Sequence, residues 1–291
     1  MSQQGIDFDY DLAFSRNLGL VQPEEQQLLR NSKVAVAGLG GVGGVHLTTL
    51  ARMGVGNFHI ADFDIFEIHN FNRQAGATFS TLGQEKGKVM ERMAHDINPS
   101  AEITLFSEGV QPENIDRFLQ GVDVVVDGLD YFAVEARELL YKETYARGIP
   151  VVAAGPIGCS AALLVFMPGG MTWHDYFSMS LAKDVLDKYV LFFIGTAPAA
   201  TQMSYMDRTR VNLAEKRGPS LSLAVQLCAG VVAAEAMKIL LKRGKVLAAP
   251  YYQQFDAYKC KYAVGKLRWG NRGPIQRLKF ALFRKMLAGS R

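Results

Sequence analysis

At 291 residues, 49% of them hydrophobic and 21% charged, the chain can bury a substantial core and is too apolar to be disordered over most of its length. A formal net charge of +4 favours polyanionic ligands but is too diffuse to name nucleic acid as the partner. Cys159, Cys228 and Cys260 are odd in number and far apart, which excludes a disulfide framework or a CxxC metal knuckle and points to a reducing, cytoplasmic compartment.

Residues 1–30 read as a polar helical arm whose acidic start lacks the basic and apolar regions of a signal peptide. Pro23 suits a first helical turn, and Glu24 and Glu25 suit a helix N-terminus. From Lys33 the pattern becomes strand, turn, helix, repeated: KVAVAGL, then GVHLTTLARM, then NFHIADFD, then EKGKVMERMAHDI. It continues through the strands AEITLF and GVDVVVDGLD, the helix AVEARELLYKETYARG and the strand IPVVAAG. Alternation of this kind predicts an α/β fold with a Rossmann-like, doubly wound, mostly parallel sheet, with a core over residues 31–165.

Beyond the strand SAALLVFM, residues 168–219 resist assignment, and a functional loop is expected among WHDYF, YVLFF, TAPAATQ and RTRVN. SLSLAVQLCAGVVAAEAMKILLKRG reads as a long helix closed by Lys, Arg and Gly, and QQFDAYKCKYAV as one further strand extending the sheet. Residues 166–265 thus form a crossover region with a long helix and added strands, and 266–291 a basic tail. No stretch approaches the roughly 18 apolar residues of a membrane span.

The first strand runs into Gly38-Leu39-Gly40-Gly41-Val42-Gly43. Glycines there permit a tight turn and bring backbone N–H groups close to a phosphate at the next helix's N-terminus, although such turns also serve merely to pack a helix on a strand. Asp62, about 20 residues on, is placed for ribose hydroxyls, with Asp64 as a competitor and a solvated strand end as the plain alternative. NAD and ATP both fit so far.

The following segment carries Asp62, Asp64, Asn70, Arg73 and Gln74, then Gly83-Gln84-Glu85-Lys86. In this it resembles the ThiF, MoeB and HesA members of the ubiquitin-activating-enzyme superfamily. The resemblance implies that Asp62 binds ribose, that Asn70, Arg73 and Lys86, with Gln74 from the same motif, surround the triphosphate of ATP, and that Asp130 holds Mg2+. Phe14-Ser15-Arg16-Asn17 resembles the family's S-R-Q/N element, whose arginine reaches into the neighbouring subunit, so Arg16 would complete the site only in a homodimer. Independently, displacement at a phosphorus of a polyanion needs cations aimed at developing charge, which Arg73 and Lys86 supply. A carboxylate nucleophile is already ionised at neutral pH and needs no general base.

Asp127-Gly128-Leu129-Asp130 ends the fourth strand at the sheet's carboxyl edge, where one carboxylate with phosphate oxygens and waters suits Mg2+. Tyr131 stands where the family usually has Asn. Ala229 to Lys238 and Gln254 to Ala257 extend the resemblance to residues 14–262, with 168–219 aligning poorly. Zinc is not expected, since relatives that carry it do so on paired CxxC motifs. No cysteine lies between Cys159 and Cys228, which argues against thioester or persulfide chemistry. The three cysteines read as small core residues, and the His174-Asp175 pair as structural or solvated.

The expected activity is adenylylation of a carboxylate on a ubiquitin-like or other peptide C-terminus or on a small acid. A tRNA threonylcarbamoyladenosine dehydratase, an NAD-dependent oxidoreductase and a nucleotide-binding scaffold are the alternatives; tRNA is a partner only under the first. The tail places Ile275, Leu278, Leu282 and Met286 on one helical face with Arg277, Arg284 and Lys285 elsewhere, a basic amphipathic helix that packs on its own domain or dimer partner, or lies on a membrane surface.

Overall fold

Short β-branched runs separated by glycine turns and amphipathic helices give α/β units, and the computed structural model describes them over residues 7–211, 215 and 218–288, at 208 and 286–288 for the backbone alone. In chain order these are α1 (Tyr10–Ala13), α2 (Pro23–Asn31), β1 (Lys33–Ala37), α3 (Gly41–Arg52), β2 (Asn57–Ala61), α4 (Lys86–Ile97) and β3 (Glu102–Phe106). Next come α5 (Ile115–Phe118), β4 (Val124–Asp127), α6 (Val134–Ala146), β5 (Val151–Ile157), β6 (Ser160–Phe166), α7 (Trp173–Phe177) and α8 (Val185–Thr196). The last are α9 (Ser222–Leu240), β7 (Tyr251–Asp256), β8 (Lys261–Lys266) and α10 (Pro274–Ala288).

The eight strands form one sheet in the order β3-β2-β1-β4-β5-β6-β7-β8. The first five in that order are parallel, and β5 to β8 pair antiparallel. Strand order reverses between β1 and β4, which opens a crevice at the strands' carboxyl ends. Alternation within β1 assigns its side chains to two cores: Val34 and Val36 pack with α3 and α9 on one face, Ala35 and Ala37 with α6, α7 and α8 on the other. The arm is tied to the end of α3 by the Tyr10 hydroxyl, which donates to the Gly54 carbonyl at 2.5 Å.

Four features depart from the sequence reading. QQFDAYKCKYAV is a hairpin, β7 and β8, rather than one strand, and Cys260 lies exposed at its turn with φ 48° rather than in a core. The unassigned region holds α7, α8 and short 3-10 turns; its long aromatic side chains, not a regular period, drive the packing. Helix α9 is 19 residues long and apolar enough for a membrane span by length and composition, contrary to the expectation, and it packs against α3, β5 and β6 through Ala224, Val225, Cys228 and Val232. Helix α10 does pack on the domain, against α8, but through Gln276, Phe280 and Phe283, while Ile275, Leu278 and Leu282 are exposed and the Met286 side chain lies outside the described residues. The reason is polar: Gln276 Nε2 donates to the Ile194 carbonyl at 2.9 Å and Lys279 Nζ to the Pro198 carbonyl at 2.7 Å, covering carbonyls at the end of α8 that need partners.

Candidate nucleotide and acid site

The β1–α3 turn is set by two glycines that packing alone requires. Gly38 has φ +82°, and a Cβ there would come within 2.5 Å of the Gly128 carbonyl oxygen; a Cβ on Gly43 would lie 1.8 Å from the Gly38 oxygen. The other two are different. A Cβ on Gly40 would meet only Gln74 Nε2 at 3.8 Å, and one on Gly41 only Val225 at 3.6 Å and Arg73 at 3.8 Å, ordinary contacts. Crowding by the protein does not explain why these positions are bare; both border the cleft.

That cleft has a volume of about 410 Å³ and runs along the carboxyl ends of β1, β2, β4 and β5. At its first end lie Gly38, Gly40, Gly41, Asp62, Asp64, Arg73, Gln74, Lys86 and Asp130. Asp62 Oδ2 accepts from the Leu39 N–H at 2.6 Å and Oδ1 from the Asp64 N–H at 2.9 Å, so one carboxylate braces the glycine turn and the end of β2. Burial pushes its pKa up, against these two bonds and the nearby Lys86 charge, which lower it. Lys86, at the start of α4 and only 5% exposed, pairs through Nζ with Asp64 Oδ2 at 2.9 Å. Arg73 donates to the His69 carbonyl and to Asn72 Oδ1, both at 3.0 Å; partial burial lowers its pKa and Asp130 opposes that shift. Gln74 is buried with its Oε1 unpartnered among the described residues.

Three sequence candidates lie off the cleft wall. Asn70 is buried and its Oδ1 accepts from the Glu67 N–H at 3.0 Å, so it shapes the turn that carries Arg73. Gly43 sits behind the turn, and Arg16 is exposed on the arm, away from its own chain's cleft. Among the described residues no group of three or more His, Cys, Asp or Glu could hold a metal. A cation here would depend on Asp130 together with ligand oxygens and water.

The second end was not legible in the sequence. Asp127 is neither solvated nor free: its carboxylate takes Arg137 Nε at 2.8 Å and the Tyr141 hydroxyl at 3.0 Å, with both members of the ion pair about 4% exposed at the side chain. Arg137 also donates to the Leu129 and Asp130 carbonyls and stacks 4.5 Å over the Phe192 ring, which leaves its guanidinium well satisfied. Burial alone would lower the Arg137 pKa, but the charge and hydrogen bond of Asp127, with Tyr141 and Asp130, outweigh it and raise the pKa. Tyr131, in place of the family amide, donates from its hydroxyl to the Tyr189 carbonyl at 2.8 Å and so ties α8 to the end of β4. His174 is exposed and its neighbour Asp175 caps α7 with Thr172, whereas Trp173 lines the cleft. A buried arginine in α6 and a tryptophan beside the conspicuous histidine were the available signals, and neither carries a local motif.

Residues 14–272 match the profile of the ThiF family. The tRNA threonylcarbamoyladenosine dehydratase of Bacillus subtilis (strain 168) is 38% identical over 142 residues, which are 48% of this chain and 55% of that protein. The chain spans about half the length of the first curated relatives of this kind. In fold, the chain superimposes on PaaA with a TM-score of 0.67 at 17% identity, covering 92% of this chain and 86% of PaaA. Escherichia coli MccB, crystallised with ATP, gives a TM-score of 0.64 at 19% identity, covering 92% of this chain and 75% of MccB.

Proposed function

Since the chain belongs to the ThiF family, we propose that it is a Mg2+- and ATP-dependent adenylyltransferase that activates a carboxylate as an acyl-adenylate. The observation that carries this reading is the bare backbone of Gly40 and Gly41 facing a cleft that also receives Arg73 and Lys86. Peptide N–H groups at a helix N-terminus with two cations beside them match a polyphosphate.

In the proposed reaction a carboxylate oxygen of the acid attacks the α-phosphorus, the bond to the bridging oxygen of the β-phosphate breaks, and pyrophosphate leaves with the electron pair. Arg73 and Lys86 neutralise charge developing on the phosphoryl oxygens, and fixed side chains achieve this without reorganisation during the step. Lys86 is held by Asp64, which keeps the ammonium over the cleft. Asp130 would hold Mg2+, whose chemistry is to offset phosphate charge. Asp62 braces the turn and remains available to ribose hydroxyls. Arg16, exposed on the arm, would act in the site of a second copy in a cytoplasmic homodimer.

ATP–pyrophosphate exchange that depends on an added acid tests this reading. Exchange abolished by Arg73→Ala is the expected result, and a folded chain with no exchange across peptide, small-acid and tRNA acceptors would contradict it. A second reading, a tRNA threonylcarbamoyladenosine dehydratase, rests on the 38% identity to that enzyme; exchange driven by modified tRNA alone would favour it. The oxidoreductase alternative draws support only from the glycine turn and Asp62. A scaffold is favoured if Arg73→Ala and Asp130→Ala leave the cellular role intact.

A further inference from the structure

Helix α10 (Pro274–Ala288) lies beyond residues 14–272, which match the ThiF family, and its two faces are unlike. Gln276, Phe280 and Phe283, spaced i, i+4, i+7, turn toward the domain, where the Phe283 and Phe193 ring centroids are 5.3 Å apart. The helix is pinned at both ends: Gln276 Nε2 donates to the Ile194 carbonyl at 2.9 Å near its start, and Arg284 pairs with Asp184 and Asp187 near its end. Rolling to hide the other face would break these bonds. On that other face Ile275, Leu278 and Leu282, spaced i, i+3, i+7, are 70%, 61% and 53% exposed. Trp269, 64% exposed, stands beside the start of the helix, since a Cβ on Gly273 would lie 4.0 Å from its ring.

Positive charge is concentrated on the same segment. Residues 266–291 hold eight Lys or Arg and no Asp or Glu, although the whole chain carries a net charge of only +4. Lys279 and Arg284 are taken by the Pro198 carbonyl and by Asp184 and Asp187. Arg268, Arg277 and Lys285 are exposed and make no side-chain hydrogen bond or ion pair among the described residues.

The combination of stripe and charge selects the partner. Nucleic acid takes cations along its phosphates and would leave the aliphatic stripe in water. A second copy seated on the stripe would bring two segments of the same sign together. An anionic lipid surface accepts both parts at once, the stripe and the indole at the headgroup boundary and the cations among the lipid phosphates. At 15 residues α10 is short of the roughly 20 that a span needs, so it would lie in the surface rather than cross it.

We propose that the exposed face of α10, with Trp269, is a seat for an anionic lipid surface and holds the protein there peripherally. The inference goes beyond the adenylyltransferase reading and does not depend on it. Ile275, Leu278 and Leu282 do not line the cleft, so lipid binding and nucleotide binding are measurable separately.

The test is co-sedimentation of the full chain with vesicles of phosphatidylcholine alone and of phosphatidylcholine with an equal part of phosphatidylglycerol. Binding to the anionic vesicles at least about tenfold tighter than to the neutral ones, and weakened by salt, is the expected result. Trp173 is buried, so Trp269 reports contact, and its emission should shift to the blue with anionic vesicles. The stripe variant, Ile275→Asn/Leu278→Asn/Leu282→Asn, should weaken that binding by at least about tenfold. Its melting temperature and ATP affinity should stay those of the parent, because these side chains lie outside both cores. The charge variant, Arg268→Gln/Arg277→Gln/Lys285→Gln, should also weaken binding to the anionic vesicles by at least about tenfold. Equal binding to both kinds of vesicle, or binding that the stripe variant retains, would overturn the proposal. So would no vesicle binding at all; tRNA binding lost in the charge variant would then assign the face to nucleic acid, and a dimer that the stripe variant turns into a monomer would assign it to a second copy.

Discussion

The two ends of the cleft are held in different ways. At the glycine end the walls are backbone and charged groups, and the principal supports join the β1–α3 turn, the end of β2 and the start of α4: Asp62 reaches Leu39 and Asp64, and Lys86 reaches Asp64. At the ring end the walls come from β5, β6, α6, α7 and α8, and the ion pair among the described lining residues there, Asp127 with Arg137, is sealed between them. At the first end Lys86 is paired with the half-exposed Asp64 and Arg73 bonds neutral oxygens, whereas the second seals its charges in the interior. A site that must stabilise charge at one end and recognise a body at the other benefits from that division, since usable charge beside an apolar body would carry the desolvation cost of both.

The comparison breaks most visibly at the sealed pair. Arg137→Met leaves Asp127 buried without its cation and should destabilise the chain by roughly 3–5 kcal/mol, with most of it recovered in the Asp127→Leu/Arg137→Met double variant, as read from urea midpoints. If Arg137 instead serves a ligand, the double variant will fold as well as the parent and lose all exchange activity. At the glycine end, Lys86→Ala should lower kcat for exchange by roughly 100- to 1,000-fold with little change in KM for the acid. A selective rise in that KM would mean that the two ends do not divide the labour as argued.

The glycines sharpen the contrast further. Gly43→Ala forces a methyl against the Gly38 carbonyl and should cost roughly 1–3 kcal/mol in stability, whereas Gly41→Ala should leave the melting temperature within a few degrees and weaken ATP about tenfold or more. A further effect concerns His46 on α3, buried with neither ring nitrogen partnered among the described residues and its pKa pushed down to about 3 by burial. The unfolded chain takes up a proton near pH 6.5 that the folded chain refuses. Stability is therefore full above that pH and falls by about 1.4 kcal/mol per pH unit as pH drops from there toward 3. His46→Leu should flatten that acid limb in urea midpoints measured at pH 7, 6 and 5; an unchanged slope would show that other groups set it.

The same division governs what the sequence made legible. Gly38 to Gly43, Asp62, Arg73 and Lys86 lie in contiguous motifs, because a phosphate loop and the helix that follows are local structures with local requirements. The α/β alternation through β5 was equally readable from apolar periodicity. The ring end was not, because Tyr131, Tyr141, Trp173 and Phe192 acquire meaning only once α7 and α8 fold back over β6. Arg137 gave no sign that its charge would be spent on Asp127. Cys260 was misplaced because its residues alternate like a strand although φ 48° makes a hairpin turn, and the exposed face of α10 because periodicity reports a stripe and not its partner.

Calorimetric titration of Mg-ATP into the full chain, with NAD as the comparison ligand, addresses the central claim most directly. The account predicts one saturable ATP site, at least about tenfold weaker in Arg73→Ala at unchanged melting temperature, and no comparable binding of NAD. No heat with ATP, or NAD bound as tightly as ATP, would contradict it.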